Sequence, residues 1–169
     1  MNSKKKRVSV KDTLSKKVYL AGSCEAVSKD KRSEWRYYCE SWFKENADGF
    51  TTINPVAFYD YDCCNHNTDS EVFRFFHRKV KEADVVLVNL ENIRQSVGTI
   101  CELAWAYDHG IPIIGFYTDG VVKHYSILED QNIQRGIFHS WVVEICDRIE
   151  CGISSMNEAM KYIRDYYYE

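Results

Sequence analysis

Proline and glycine are scarce, two and eight among 169 residues, which excludes collagen-like, linker-like and low-complexity architectures. Apolar runs are short: the longest, at 85–88 and 111–116, span only a few residues, where ~20 are needed to cross a bilayer. No membrane span is expected. No apolar stretch follows the basic start, so the opening residues do not read as a secretory signal. Glycine-rich phosphate loops are missing too. Segment 21–24 (AGSC) has a single glycine where a dinucleotide fingerprint needs three, and neither GxxxxGKS/T nor GxSxG occurs. The five histidines (66, 77, 109, 124 and 139) are scattered, none at i,i+4 beside a carboxylate. Cys63, Cys64 and His66 form the one local cluster of metal-ligand types, without a second pair at zinc-site spacing. No metal and no organic cofactor are therefore expected.

What is present is a core. The AVILMFWYC set makes up 45% of the chain and aromatics 14%, too much for disorder over most of its length. The length suits one compact domain rather than two. Charge is distributed unevenly: residues 1–17 carry seven Lys or Arg against one Asp, a net +6, leaving −9 on the remainder. Residues 1–16 thus read as a basic, flexible arm and 17–169 as a single domain. The acidic body opposes binding to a nucleic-acid polymer, and none is expected as a partner. Seven cysteines, an odd number without repeated spacing and without a signal peptide, point to a reducing, cytoplasmic setting.

Periodicity orders the elements. Segment 17–21 (KVYLA) reads as a first strand ending at Gly22, and 30–46 carries Trp35, Tyr38, Cys39, Trp42 and Phe43 at helical spacing. A second strand covers 50–54, and 56–70 lacks a clear period and reads as a long loop. Ser70 is positioned to cap a helix over 71–82. Segment 84–90 (DVVLVNL) is a continuous apolar strand of the type buried on both faces of a parallel sheet. A helix follows from Ser96 to about His109, and then a strand at 111–116. Residues 117–136 form an irregular excursion. A short element at 138–145 and a strand near 148–151 lead to a last helix, which Ser155 and Glu158 would open as a capping box and which ends near Tyr167. Alternating strands and helices imply right-handed βαβ units and a parallel sheet. Ligands of such sheets sit outside the carboxyl ends of the strands, which selects the loops 22–29, 54–70 and 91–98.

Within those loops, 96–106 (SVGTICELAWA) stands out. Gly98 and Thr99 lie at a helix N-terminus, where N–H groups and the dipole favour an anion. Glu102 follows one turn later among apolar neighbours. By spacing alone it reads first as a solvent-facing residue of an amphipathic helix; a functional role requires it to face the strand ends. Gly22, Ser23 and Asn54 fall in the site-forming loops. Asn89 lies at a strand end, and Arg36 is a partner for an anion by charge. Phe58, Tyr59, Tyr61 and Trp35 lie in or near these segments and are candidates to stack on a flat ring, and Asp84 reads as structural.

Taken together, 18–22 (VYLAG), Asn54-Pro55, 83–90 (ADVVLVNL), 96–99 (SVGT) with 102–104 (ELA), and 110–116 (GIPIIGF) resemble the nucleoside 2-deoxyribosyltransferase family over roughly residues 17–117, with the tail from Cys146 also similar. The resemblance implies a flavodoxin-like (Rossmann-like) three-layer α/β sandwich with a parallel sheet of about five strands. It also implies cleavage or transfer of the N-glycosidic bond of a 2′-deoxynucleoside or its 5′-monophosphate. Glu102 would attack C1′, and Tyr19 would orient its carboxylate. A homodimer or higher homo-oligomer would be expected, with a neighbour's C-terminal segment near the site and Tyr166-Tyr167-Tyr168 suited to the contact. Two positions depart from the family pattern. Ser96 stands where transferases of free nucleosides carry an aspartate for the 5′-hydroxyl, resembling instead the branch that hydrolyses deoxynucleoside 5′-monophosphates; a helix N-cap role for Ser96 is compatible with this. Phe76 stands where an aspartate handles the proton of the leaving base, and phenylalanine is neither acid nor base. His77, Asp60, Asp62 and Glu71 are nearby titratable groups, none selected by spacing. A catalytically weak or inactive nucleotide-binding sensor on the same fold is the alternative reading.

Overall fold

The computed structural model describes residues 15–25, 27–59, 68–118 and 138–166. Five strands, β1 (Lys16–Gly22), β2 (Phe50–Ile53), β3 (Val85–Asn89), β4 (Ile113–Tyr117) and β5 (Arg148–Cys151), form one sheet. Their order is β2-β1-β3-β4-β5 and every pairing is parallel. The switch in strand order therefore falls between β1 and β3, whose register pairs Gly22 with Asn89 at the carboxyl edge.

Alternation along the buried strands divides the core in two, because successive side chains point to opposite faces. Tyr19, Ala21, Val86 and Val88 join Leu103 and Ala106 on one side. Val18, Leu20, Val85 and Leu87 join Cys39, Phe43 and Met160 on the other. The first layer holds α3 (Asp69–Lys81), α4 (Val97–Asp108) and α5 (Ser140–Ile145); the second holds α1 (Lys29–Asn46) and α6 (Ser155–Tyr166). This is the flavodoxin-like three-layer α/β arrangement expected from the sequence. Asp84 accepts the Lys17 amide at 2.7 Å and Asp147 accepts that of Ile113 at 2.7 Å. Both latch strand starts, the structural role expected of Asp84. Pro112 lies just before β4, so its missing N–H costs no ladder bond while its carbonyl accepts from Val86 at 2.8 Å.

Three local expectations are corrected. Part of the expected 56–70 loop is a short helix, α2 (Pro55–Phe58), whose N-cap Asn54 accepts from the Val56 amide at 3.1 Å. Asn followed by Pro at the first helical position is an N-terminal signal, but four residues are too few for periodicity to show. Thr68, not Ser70, caps α3, accepting from Glu71 N at 3.2 Å. The capping box at the last helix does not form. Among the described residues the buried Ser155 hydroxyl has no partner, and Glu158 pairs with Lys161 at 3.0 Å. The excursion at 117–136 and the C-terminal tyrosines 167 and 168 fall largely or wholly outside the described residues, as does the basic arm up to residue 14. Among the described residues no helix is long and apolar enough to cross a membrane.

Candidate active site

A cavity of about 360 Å³ opens beside the end of β1, between the start of α4 and one face of α3. That volume is at the small end of the ~300–1,000 Å³ typical of small-molecule sites. Glu102 lines it while remaining buried, at 8% exposure. Helix α4 presents Glu102 inward because Thr99, Leu103 and Ala106 lie on its buried face with it. Beneath, Tyr19 is fully buried in β1, and its hydroxyl donates to Glu102 Oε1 at 2.6 Å. Such a short bond is characteristic of a hydroxyl facing a charged acceptor.

Burial pushes the Glu102 carboxyl up to about 7, against the opposing effects of the Tyr19 hydrogen bond and the Arg36 charge. A raised folded-state value makes the carboxylate a liability to stability where it is ionised. The penalty is absent below the unfolded value of 4.5, grows as pH rises, and is complete above about 7. Glu102→Gln therefore raises the melting temperature at pH 8. The pH-dependent gain is about 3 kcal/mol, or several degrees, and disappears at pH 4. Calorimetry at the two pH values checks this; an equal effect at both would contradict the burial of a titrating carboxyl.

The N-terminus of α4 supplies the cavity's polar wall. Among the described residues no side chain caps this helix: Ser96 occupies the N-cap position, with its hydroxyl 2.7 Å from that of Thr99. At Gly98 no atom of the described residues lies within 4 Å of where a Cβ would stand. Gly22 lines the cavity, and it must be small because a Cβ would lie 2.9 Å from the Trp35 ring and 3.2 Å from Asn89 Cβ, neither of which lines this cavity.

The structure thus brings Glu102, Gly22, Ser96, Gly98 and Thr99 to one cavity, with Tyr19 directly behind. Four other sequence candidates lie elsewhere. Ser23 and Asn89 line a separate hollow of about 260 Å³ together with Trp35. The Ser23 hydroxyl is buried there with no partner among the described residues, and Asn89 Oδ1 accepts from Glu91 N at 2.9 Å. Asn54 is buried as the cap of α2. Arg36 is not an available phosphate ligand. It is completely buried, donating from Nε to Leu20 O at 3.1 Å, from Nη2 to Gly22 O at 2.7 Å, and to Arg32 O. Its guanidinium is committed to the backbone beneath the site and acts on Glu102 through its charge.

Of the proposed stacking residues, Tyr59 reaches the cavity and Tyr61 lies outside the described residues. Phe58 is exposed and packs on Phe75 at 6.0 Å. The wall instead uses Phe73, Phe76 and Trp105, none of them a sequence candidate for base contact. Asp69, Val72, Phe73 and Phe76 recur at i, i+3, i+4 and i+7, a helical stripe visible in the sequence. Asp60, Asp62 and the Cys63, Cys64 and His66 cluster also lie outside the described residues. Glu71 and His77 are not among the cavity's lining, and His77 packs on Trp105 with ring centroids 5.0 Å apart. Among the described residues no group of three His, Cys, Asp or Glu is arranged to hold a metal.

Comparison with known proteins agrees with this architecture. Residues 15–119 match the family model described as nucleoside 2-deoxyribosyltransferase like. A conserved protein from Enterococcus faecalis superposes with a TM-score of 0.65 at 17% identity, covering 88% of this chain and 99% of the other. A CMP N-glycosidase from Clostridium botulinum gives 0.51 at 18% identity, covering 90% and 99%. A 2-deoxyribosyltransferase from Bacillus psychrosaccharolyticus gives 0.55 at 18%, covering 86% and 91%. No curated protein matches by sequence. The chain belongs to the nucleoside 2-deoxyribosyltransferase-like family, as the matched segment is more than half its length.

Proposed function

We propose that this family member cleaves or transfers the N-glycosidic bond of a 2′-deoxynucleoside or its 5′-monophosphate, with Glu102 as nucleophile. The observation that carries the reading is the buried Tyr19–Glu102 bond of 2.6 Å opening onto a cavity. One oxygen of the carboxylate is held by Tyr19, and the other is left to attack. A carboxylate largely withdrawn from water stabilises oxocarbenium character at C1′ strongly and then captures it as an ester, the double displacement of retaining glycosidases. Transfer of the sugar to a second base, or to water, completes the cycle. The 5′ end of the sugar is directed to Ser96, Gly98 and Thr99, whose helix terminus suits an oxygen-rich group. Gly22 admits the sugar edge, and a homo-oligomeric, cytoplasmic enzyme is part of the same reading.

The ionised form of Glu102 is the nucleophile, so the limb of the pH–rate profile that Glu102 sets rises with pH and is complete above about 7. Tyr19→Phe deletes a hydrogen bond to a charged group, a loss of about 1.5–3 kcal/mol. It lowers kcat about 10- to 100-fold and moves the midpoint of the pH profile upward, because the hydroxyl holds the carboxyl down. A pH–rate series on the folded variant reads both effects.

The defining experiment is chromatographic detection of free base from each deoxynucleoside and its 5′-monophosphate, with and without an acceptor base. Base release that depends on Glu102 supports the enzyme. Tight nucleotide binding without base release over long incubation supports the sensor, which the presence of Phe76 in the cavity wall favours.

A further inference from the structure

We infer that the preferred leaving group is an aromatic base that already carries a positive charge at its glycosidic nitrogen, as in an N-glycosyl pyridinium. The inference rests on the N-glycosidic reading above and names the substrate class of that site. Three features of the cavity point to it. Phe76, 8% exposed, forms its wall with the Tyr59 ring 5.9 Å away, so at position 76 the wall presents aromatic hydrocarbon and not a carboxylic acid. Phe73 and Trp105 extend the aromatic surface, edge to face at 4.9 Å. Charge completes the picture: the described residues lining the cavity include Glu25, Asp69 and Glu102, and none of them is Lys, Arg or His.

Aromatic faces attract a flat cation through their quadrupoles, and carboxylates add to that attraction. The same lining gives a neutral base only stacking. Reactivity separates the two classes further. A neutral base departs as an anion unless something protonates it, and general acid assistance is commonly worth ~10²–10⁴-fold. A pyridinium needs no proton. As the free Glu102 oxygen forms its bond to C1′, the C1′–N bond breaks and its electron pair returns to the ring nitrogen, cancelling the positive charge. The base leaves as a neutral molecule. Water then forms a bond to C1′ as the ester C–O bond breaks, its proton goes to solvent, and the Glu102 carboxylate is restored. Bonds and charge balance without an oxidant or co-reactant.

The test compares nicotinamide riboside and nicotinamide 2′-deoxyriboside with deoxyadenosine and deoxycytidine, using the full chain and measuring free base by chromatography between pH 6 and 9. The expected result is a kcat/KM at least tenfold higher for a pyridinium probe at pH 8. The ratio should widen as pH rises, because only the neutral nucleosides draw a proton from solvent. Phe76→Asp should narrow the ratio at least tenfold by accelerating the neutral substrates; the pH dependence of the ratio is read on the unaltered protein and does not depend on that variant folding. Neutral nucleosides cleaved as fast as the pyridiniums, with loss on Glu102→Gln, would overturn this inference and leave the proposed function standing. Release from neither class would overturn both.

Discussion

Glu102→Gln abolishes base release while leaving the protein folded, reducing turnover on the order of 10⁴- to 10⁶-fold, the scale seen when a covalent nucleophile is removed. Glutamine keeps the size of the side chain and an oxygen to accept from Tyr19, so the 2.6 Å hydrogen bond has a counterpart in the variant. What disappears is the negative charge. An amide oxygen neither stabilises an oxocarbenium ion to the same degree nor forms a stable ester with C1′. The variant's higher melting temperature at pH 8 and its lost activity come from one cause, the removal of a charge that burial disfavours and chemistry requires. Nucleotide binding by calorimetry should survive within about tenfold, which separates loss of chemistry from loss of the cavity.

Arg36→Leu has the largest effect expected on stability, a loss of about 3–5 kcal/mol, out of the ~5–15 kcal/mol that hold a typical domain folded. Three donors of the guanidinium serve Leu20 O, Gly22 O and Arg32 O inside the protein. Leucine fills part of the space and replaces none of these three side-chain hydrogen bonds, leaving Gly22 O with only the weak Cys24 Sγ contact at 3.5 Å; an under-satisfied buried acceptor costs about 1–3 kcal/mol. The guanidinium also lies 4.4 Å over the Trp35 ring, a cation–π attraction that leucine cannot supply. Arg36→Lys keeps the charge but not the planar fork, and it should be intermediate. A purely structural role would change stability alone. Because the Arg36 charge also holds the Glu102 carboxyl down, the folded fraction of Arg36→Leu should show its pH–rate midpoint displaced upward. Denaturant unfolding and the pH profile read the two effects independently.

The parallel sheet is legible in the sequence because β3 is apolar at successive positions, as only a strand covered on both faces can be, and helix periods bracket it. Strand order is not written in any local pattern. Yet the rule that ligands gather at the carboxyl ends selects the loop after β1 and the start of α4, where the cavity lies. Facing and burial set the limits. Ser23 directly follows Gly22, but it lines the other hollow; adjacency in sequence at a strand end does not mean a shared site. Arg36 reads as a surface cation because charge is usually exposed. Its burial depends on carbonyls contributed by β1, sixteen and fourteen positions away. Glu102 is ambiguous by spacing, and tertiary packing of α4 against Tyr19 decides its direction. The α3 stripe is visible as a pattern, but nothing in the pattern distinguishes packing against the core from lining a cavity.

The central claim is that the Glu102 carboxylate becomes bonded to the anomeric carbon. Rapid quenching during the first turnover, followed by proteolysis and mass spectrometry, tests it most directly. The predicted result is one sugar's mass added to the peptide containing Glu102 as the first equivalent of base appears. A full equivalent of free base released while that peptide keeps its unmodified mass throughout, or the sugar found on another residue, would contradict it.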